Sequence, residues 1–145
     1  MILIDTTVLV YAVGLEHPLR NPCRELIAAI GNGQVSATTT VETIQEFVHV
    51  RARRRPRSDA AALGRNYAGL LAPLITVDAD DLRHGLDVYE RHGGIGAFDA
   101  VLVAVLERRE YLTGIVSADA GFATIPGIEH HDPASAGFLA DLGLA

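Results

Sequence analysis

Met1-Ile2-Leu3-Ile4-Asp5-Thr6-Thr7 passes from three apolar residues after the initiator, two of them β-branched, straight into a carboxylate and two hydroxyls. A short apolar run that ends so abruptly is the pattern of a parallel strand buried on both faces. The carboxyl ends of such strands are where open α/β sheets bind ligands. Asp5 then has two readings. It either caps the following helix, as Asp often does, or stands in an apolar-floored crevice where a cation or hydrogen-bond donors must meet it.

Working outward, the chain alternates strands and helices. Asn21-Pro22 supplies the cap and first-turn proline of a helix that carries Cys23, Leu26, Ile27 and Ile30 up to Gly31. Gln34 to Thr39 reads as a second strand. The periodicity predicts a helix from Thr40 to about Arg55, with Val41, Ile44, Val48 and Ala52 as its buried stripe and Phe47 beside it. Pro56 breaks that run, and Ser58 caps a further helix that Pro73 stops. Leu74 to Val77 is a third strand. Asp78 caps a helix whose Leu82, Leu86 and Tyr89 recur at core spacing until Gly93-Gly94. The next helix begins at Asp99 and is apolar on every side through Leu106, which makes it central. Ile115-Val116-Ser117 is a fourth strand, Ile125 to Ile128 turns toward a last edge strand, and the Ala-rich tail from Pro133 closes as a helix. Strands separated by one or two helices imply parallel crossovers. The expected architecture is therefore α/β, one domain over residues 1–145, with a short parallel sheet and helices on both faces.

Composition narrows the chemistry. A single cysteine, Cys23, excludes a disulfide framework and a cysteine zinc site, and points to a reducing, intracellular compartment. No basic segment precedes a long apolar run, so neither a signal peptide nor a membrane span is expected. All twelve basic residues are Arg, which removes phosphate-gripping lysine and with it P-loop nucleotide hydrolysis. Receiver and haloacid-phosphatase chemistry, which would also place Asp5 after a first strand, lacks its lysine too. The net charge is −6, yet Arg51, Arg53, Arg54, Arg55 and Arg57 crowd one short segment. An acidic body with one basic patch is compatible with phosphate binding there; a solvated cluster complementing a helix C-terminus is the plainer reading.

Four carboxylates stand at comparable places, Asp5 and Asp119 after strands and Glu46 and Asp99 in the opening turns of helices. Oxygen ligands select hard divalent cations, Mg²⁺ or Mn²⁺ in preference to zinc, and such a site suits phosphodiester hydrolysis. Glu42 lies one turn before Glu46 and competes for its place. The Ile-Gln-Glu-Phe context favours Glu46, whereas Glu42 sits near the helix N-terminal amides that stabilise a carboxylate anyway. His130-His131 cannot share one metal from a strand, because adjacent side chains point to opposite faces.

Ile4-Asp5-Thr6-Thr7, Thr40 to Phe47, Phe98-Asp99-Ala100, and Ser117-Ala118-Asp119 with Phe122 and Ile125-Pro126-Gly127 together resemble the PIN-domain nucleases, and within them the ribonuclease toxins of VapC-type toxin–antitoxin pairs. The resemblance implies a PIN-like three-layer fold and a Mg²⁺- or Mn²⁺-dependent endoribonuclease, the toxin of a type II pair. It implies Asp5, Glu46, Asp99 and Asp119 as the metal-binding and catalytic carboxylates, with Thr6 and Ser117 as supporting hydroxyls. Arg51, Arg53, Arg54 and Arg55 would hold the RNA backbone. A cognate VapB-type antitoxin, a homodimer and a cytoplasmic location are likewise implied. Thr7 stands where the family often has Asn or Ser, and Gly121 where a further Asp is common. The alternative is a nonenzymatic PIN-fold module that only binds a partner.

Overall fold

In the computed structural model, which describes residues 1–144, strand β1 (Ile2–Ile4) divides its side chains between two cores. Ile2 and Ile4 enter one apolar cluster and Leu3 the other. The same alternation holds in β3 (Gly114–Val116), where Ile115 joins Leu3 and Val116 joins Ile4. Period-two alternation with both faces buried requires cover on both sides. Helices α1 (Thr6–Val13), α2 (Arg20–Gly31), α3 (Val41–Arg51), α4 (Arg57–Leu70) and α7 (Phe138–Asp141) bring side chains to the first cluster. Helices α5 (Ala79–Arg91) and α6 (Ala97–Glu107) bring theirs to the second. The sheet is wholly parallel in the order β2-β1-β3-β4, with β2 at Ala37–Thr38 and β4 at His130–His131. This is the expected α/β architecture, a short parallel sheet with helices on both faces. Among the described residues no helix is long and apolar enough to cross a membrane.

Several boundaries differ from expectation, each for a local reason. The third strand at residues 74–77 does not join the sheet; Ile75 makes only an isolated parallel bridge to Thr40. Helix α2 starts ahead of Asn21-Pro22, at Arg20, with Leu19 in the cap position. Helix α4 starts at Arg57 behind Pro56, so Ser58 is inside it. Helix α3 ends at Arg51, and the arginines beyond it lie in a turn. Its buried positions are Thr43 and Phe47, while Val41 and Ala52 are exposed. Thr40 caps α3 by accepting from Thr43 N at 3.1 Å, and Thr43 stays buried because its hydroxyl pairs with that of Thr40 at 2.9 Å.

The largest correction concerns α5. Leu82, Leu86 and Tyr89 face outward at 48%, 48% and 49% exposure, and the buried side holds Asp81, Gly85 and Val88. Asp81 is fully buried because it closes a capping box with Asp78 and is gripped by two arginines from the end of α6: Arg109 bonds both its oxygens at 2.9 Å, and Arg108 bonds Oδ1. The Arg109 hydrogen bond, foremost, holds the Asp81 carboxyl well below the usual range. A paired buried charge thus outweighed the apolar stripe in setting which face turns inward.

Gly85 allows α5 to lie directly on α6. A Cβ there would sit 2.7 Å from Val101 Cγ2 and 2.8 Å from Val101 Cα, too close to backbone for adjustment. Gly85→Ala is therefore expected to destabilise the fold by about 1–3 kcal/mol, whereas Gly93→Ala, which meets open space, should stay within about 0.5 kcal/mol in the same denaturant titration.

Candidate functional site

The carboxyl ends of β1 and β3 and the N-terminus of α6 open on one pocket of about 420 Å³. It is lined by Asp5, Thr6, Thr7, Val10, Tyr11, Glu46, Val50, Asp99 and Asp119. All four carboxylates named from sequence are here. Glu42 is not among them, which separates it from Glu46; its Oε2 is buried without a hydrogen-bond partner among the described residues.

Asp5 occupies the cap position of α1, yet its side chain caps nothing. It is 4% exposed and accepts two hydrogen bonds on a single oxygen, Oδ2, from Ser117 Oγ at 2.7 Å and Thr7 Oγ1 at 2.9 Å. The crevice reading of Asp5 is the one the geometry bears out. Glu46 arrives from the middle of α3 and accepts from Thr6 Oγ1 on Oε2 at 2.6 Å. Asp119 caps the 3₁₀ turn at Ala120–Thr124, its Oδ1 accepting from Gly121 N at 2.8 Å. Asp5 and Glu46 therefore each commit one oxygen to a hydroxyl donor, while Asp119 is engaged by Gly121 N and by Asp99. Asp99, in the first turn of α6, has its carboxyl pushed up to about 7. Burial is the first cause, followed by the charges of Asp5 and Asp119, a hydrogen bond with Asp119, and the charge of Glu46.

The hydroxyls form a framework that sequence reading recovered only in part. Ser117 Oγ donates to Asp5 and accepts from Asp119 N at 3.0 Å, so one fully buried serine ties the Asp5 carboxylate to the backbone of Asp119. Thr7, first noted only as a departure from the family pattern, donates to Asp5 and accepts from Ala118 N at 3.0 Å. Thr39 Oγ1 donates to the carbonyl of Ile4 at 2.6 Å, fixing the strand end just before Asp5. A hydroxyl two residues after a strand-end carboxylate was the signal for Thr7; Thr39 had none, because its partner is a backbone atom 35 positions away. His130 donates from Nε2 to the Ser117 carbonyl at 2.8 Å and is structural. Gly121 is explained sterically, since a Cβ would lie 2.5 Å from Gly94 O, leaving no room for the Asp common at that place.

A divalent cation can be judged against these residues. The four carboxylates lining this pocket are hard oxygen donors, which fits Mg²⁺ or Mn²⁺ chemically. Among the described residues, no three His, Cys, Asp or Glu side chains are set to hold a metal ion as they stand, so the donors share a pocket without forming a closed cage.

The arginines divide. A groove of about 450 Å³, lined by Val10, Gly14, Leu15, Val50, Arg51, Arg53, Arg54 and Arg55, meets the carboxylate pocket at Val10 and Val50. Arg51 is held inside, with Nε bonded to Asp59 Oδ1 at 2.7 Å and Nη1 to Val13 O at 3.0 Å. Arg53, Arg54 and Arg55 are exposed.

The PIN domain family matches residues 2–128 of the chain. Ribonuclease VapC7 of Mycobacterium tuberculosis is 52% identical over an alignment that covers 99% of each protein. Among solved structures, M. tuberculosis VapC20, described as a sarcin–ricin loop cleaving toxin, superposes with a TM-score of 0.70 at 16% identity, over 88% of this chain and 98% of its own. A toxin–antitoxin complex from Klebsiella pneumoniae gives 0.66 at 14% identity, over 93% and 99%.

The raised Asp99 carboxyl has a sign that can be checked. With a folded value near 7 against the ordinary 3.8, the native state binds the extra proton, so metal-free stability falls as pH rises from about 4 to 7 and is level above. Melting in chelator should show this decline for wild type and a flatter profile for Asp99→Asn, which above pH 7 should be as stable as wild type or more so, by on the order of 2 kcal/mol. An Asp99→Asn protein less stable than wild type at pH 8 would contradict a repelling cluster.

Proposed function

The chain belongs to the PIN-domain family and, within it, to the VapC ribonucleases, and on that basis we propose that it is the endoribonuclease toxin of a type II toxin–antitoxin pair, hydrolysing RNA phosphodiester bonds in the cytoplasm, with residues 1–145 as one PIN-like domain. The carrying observation is the pocket in which Asp5, Glu46, Asp99 and Asp119 meet without a basic side chain lining it. Mg²⁺ or Mn²⁺ would be held by those four carboxylates; bound there, it would orient water and neutralise charge on the scissile phosphate. Ser117 and Thr7 hold Asp5, and Thr6 holds Glu46, at the wall of the same pocket. Without a cation, burial and the neighbouring carboxylates give Asp99 a raised affinity for a proton, which cation binding would relieve.

Arg53, Arg54 and Arg55 bind the RNA backbone along the groove continuous with the pocket, and the paired Arg51 buttresses that groove. Mixed RNA incubated with purified protein should be cut only with Mg²⁺ or Mn²⁺, and not by Asp99→Asn. Intact RNA in both would favour the nonenzymatic partner-binding module. Replacing Arg53, Arg54 and Arg55 by Ala should weaken RNA binding and make its salt dependence shallower by roughly 0.7 per lost phosphate contact, metal affinity unchanged. An unchanged salt slope would remove the segment from the substrate path.

Two partners complete the proposal. A VapB-type antitoxin inhibits by placing an Arg or Lys among the carboxylates, so it should bind Asp5→Asn/Asp99→Asn protein more weakly than wild type. A second copy of the chain covers the exposed Leu82, Leu86 and Tyr89 of α5. Arg83 and Glu90 flank that stripe two turns apart, so an antiparallel twofold about Leu86 sets each Arg83 against the other copy's Glu90. Light scattering should find a dimer that Arg83→Glu weakens and Arg83→Glu/Glu90→Arg restores; a wild-type monomer at micromolar concentration would refute this interface.

A further inference from the structure

Two tyrosines are tied to α1, and they are built differently. Tyr67 is buried, packs edge-on against Phe47 at 5.0 Å and donates its hydroxyl to Leu9 O at 3.1 Å, so its polar and apolar parts are both used by the core. Tyr11 is only partly buried and lines the carboxylate pocket itself, one turn along α1 from Thr7. Its ring is backed by the imidazole of His17, with centroids 4.6 Å apart and planes 31° from parallel. His17 is fixed in turn, because its Nδ1 accepts from Leu19 N at 3.1 Å. The loop after α1 thus holds one aromatic ring against another at the edge of a site whose remaining walls are carboxylates, hydroxyls and two valines.

Neighbouring Val10 and Val50 are shared with the arginine groove, so a strand with one phosphate at the carboxylates and its next phosphates at Arg53 to Arg55 passes along α1. Bases of a single strand on such a path need an apolar face to replace the stacking they lose, and a fixed aromatic supplies one for any base. We propose that Tyr11, held in place by His17, is a nucleobase platform that stacks one base beside the scissile phosphate. The inference rests on the pocket being an RNA-cleaving site. Tyr11 is in this account a substrate-binding residue and His17 a positioning residue.

The test combines a variant with a missing base. Binding of short homopolymeric oligoribonucleotides, each with one abasic position stepped along the strand, is measured by fluorescence anisotropy with full-length wild type, Tyr11→Phe and Tyr11→Leu, with Ca²⁺ in place of Mg²⁺ to slow turnover. Cleavage in Mg²⁺ is followed in parallel. Tyr11→Phe should bind as wild type does, because stacking does not need the hydroxyl. Tyr11→Leu, which keeps apolar volume, should lose roughly five- to 150-fold in affinity. At one position the abasic strand should cost wild type the same factor and cost Tyr11→Leu nothing further. Losses that multiply at every position, or a Tyr11→Phe loss equal to that of Tyr11→Leu, would overturn the platform while cleavage still supports the nuclease. Coupling without any cleavage would uphold the platform and overturn the nuclease; no binding by wild type would overturn both.

Discussion

Carboxylates within one pocket repel one another, at 5 Å by about 3 kcal/mol per pair with an effective dielectric near 20, so a fold that gathers four of them has to anchor each against that repulsion. Here the anchors are hydroxyls and one backbone amide. Ser117 and Thr7 hold Asp5, Thr6 holds Glu46, and Gly121 N holds Asp119. A hydroxyl donates to a carboxylate without cancelling its charge, which is what a cation site needs from its supports. An arginine would have done otherwise, as Asp81 shows at the other end of α6. That carboxylate is paired with Arg108 and Arg109, closes the capping box of α5 and locks that helix onto α6.

The same sheet makes both outcomes possible. Strand β1 is only three residues long and delivers Asp5 from an apolar floor, while β3 beside it delivers Ser117 in register, one residue past Val116. Asp99 comes from α6, whose apolar surround of Leu102, Val103, Val105 and Leu106 leaves it no lateral freedom. Asp5 and Asp99 are therefore set by the two cores on opposite faces of β1, and a shift of one strand register would separate them. Asp119 alone sits on an exposed turn, and its place depends on how closely Gly121 approaches Gly94.

Much of this was legible in the sequence, and the failures have physical causes. An apolar run ending in Asp5, and a helix apolar all round starting near Asp99, are strong signals because burial leaves few alternatives. Periodicity misled on α5, where Leu82, Leu86 and Tyr89 form a stripe as regular as any core face. The side that turned inward was selected by Asp81, whose partners lie 27 and 28 residues away, and by the need for a residue without Cβ against Val101. Residues 74–77 had strand composition, yet pairing requires a free edge in reach, and only Thr40 meets Ile75. The four carboxylates singled out from sequence do share one pocket, but their hydroxyl supports were legible only where they neighbour a carboxylate in sequence or match the family pattern.

We propose that the pocket is a cation site kept ready by hydroxyls. It is tested most directly by titrating Mn²⁺ into chelator-treated protein and following the melting temperature of wild type beside Ser117→Ala and Asp5→Asn. The account predicts a saturable rise for wild type, since binding to the native state alone adds stability, a weaker response for Ser117→Ala, and almost none for Asp5→Asn. A wild-type melting temperature that does not move at millimolar Mn²⁺, or a rise that Asp5→Asn shares in full, would contradict it.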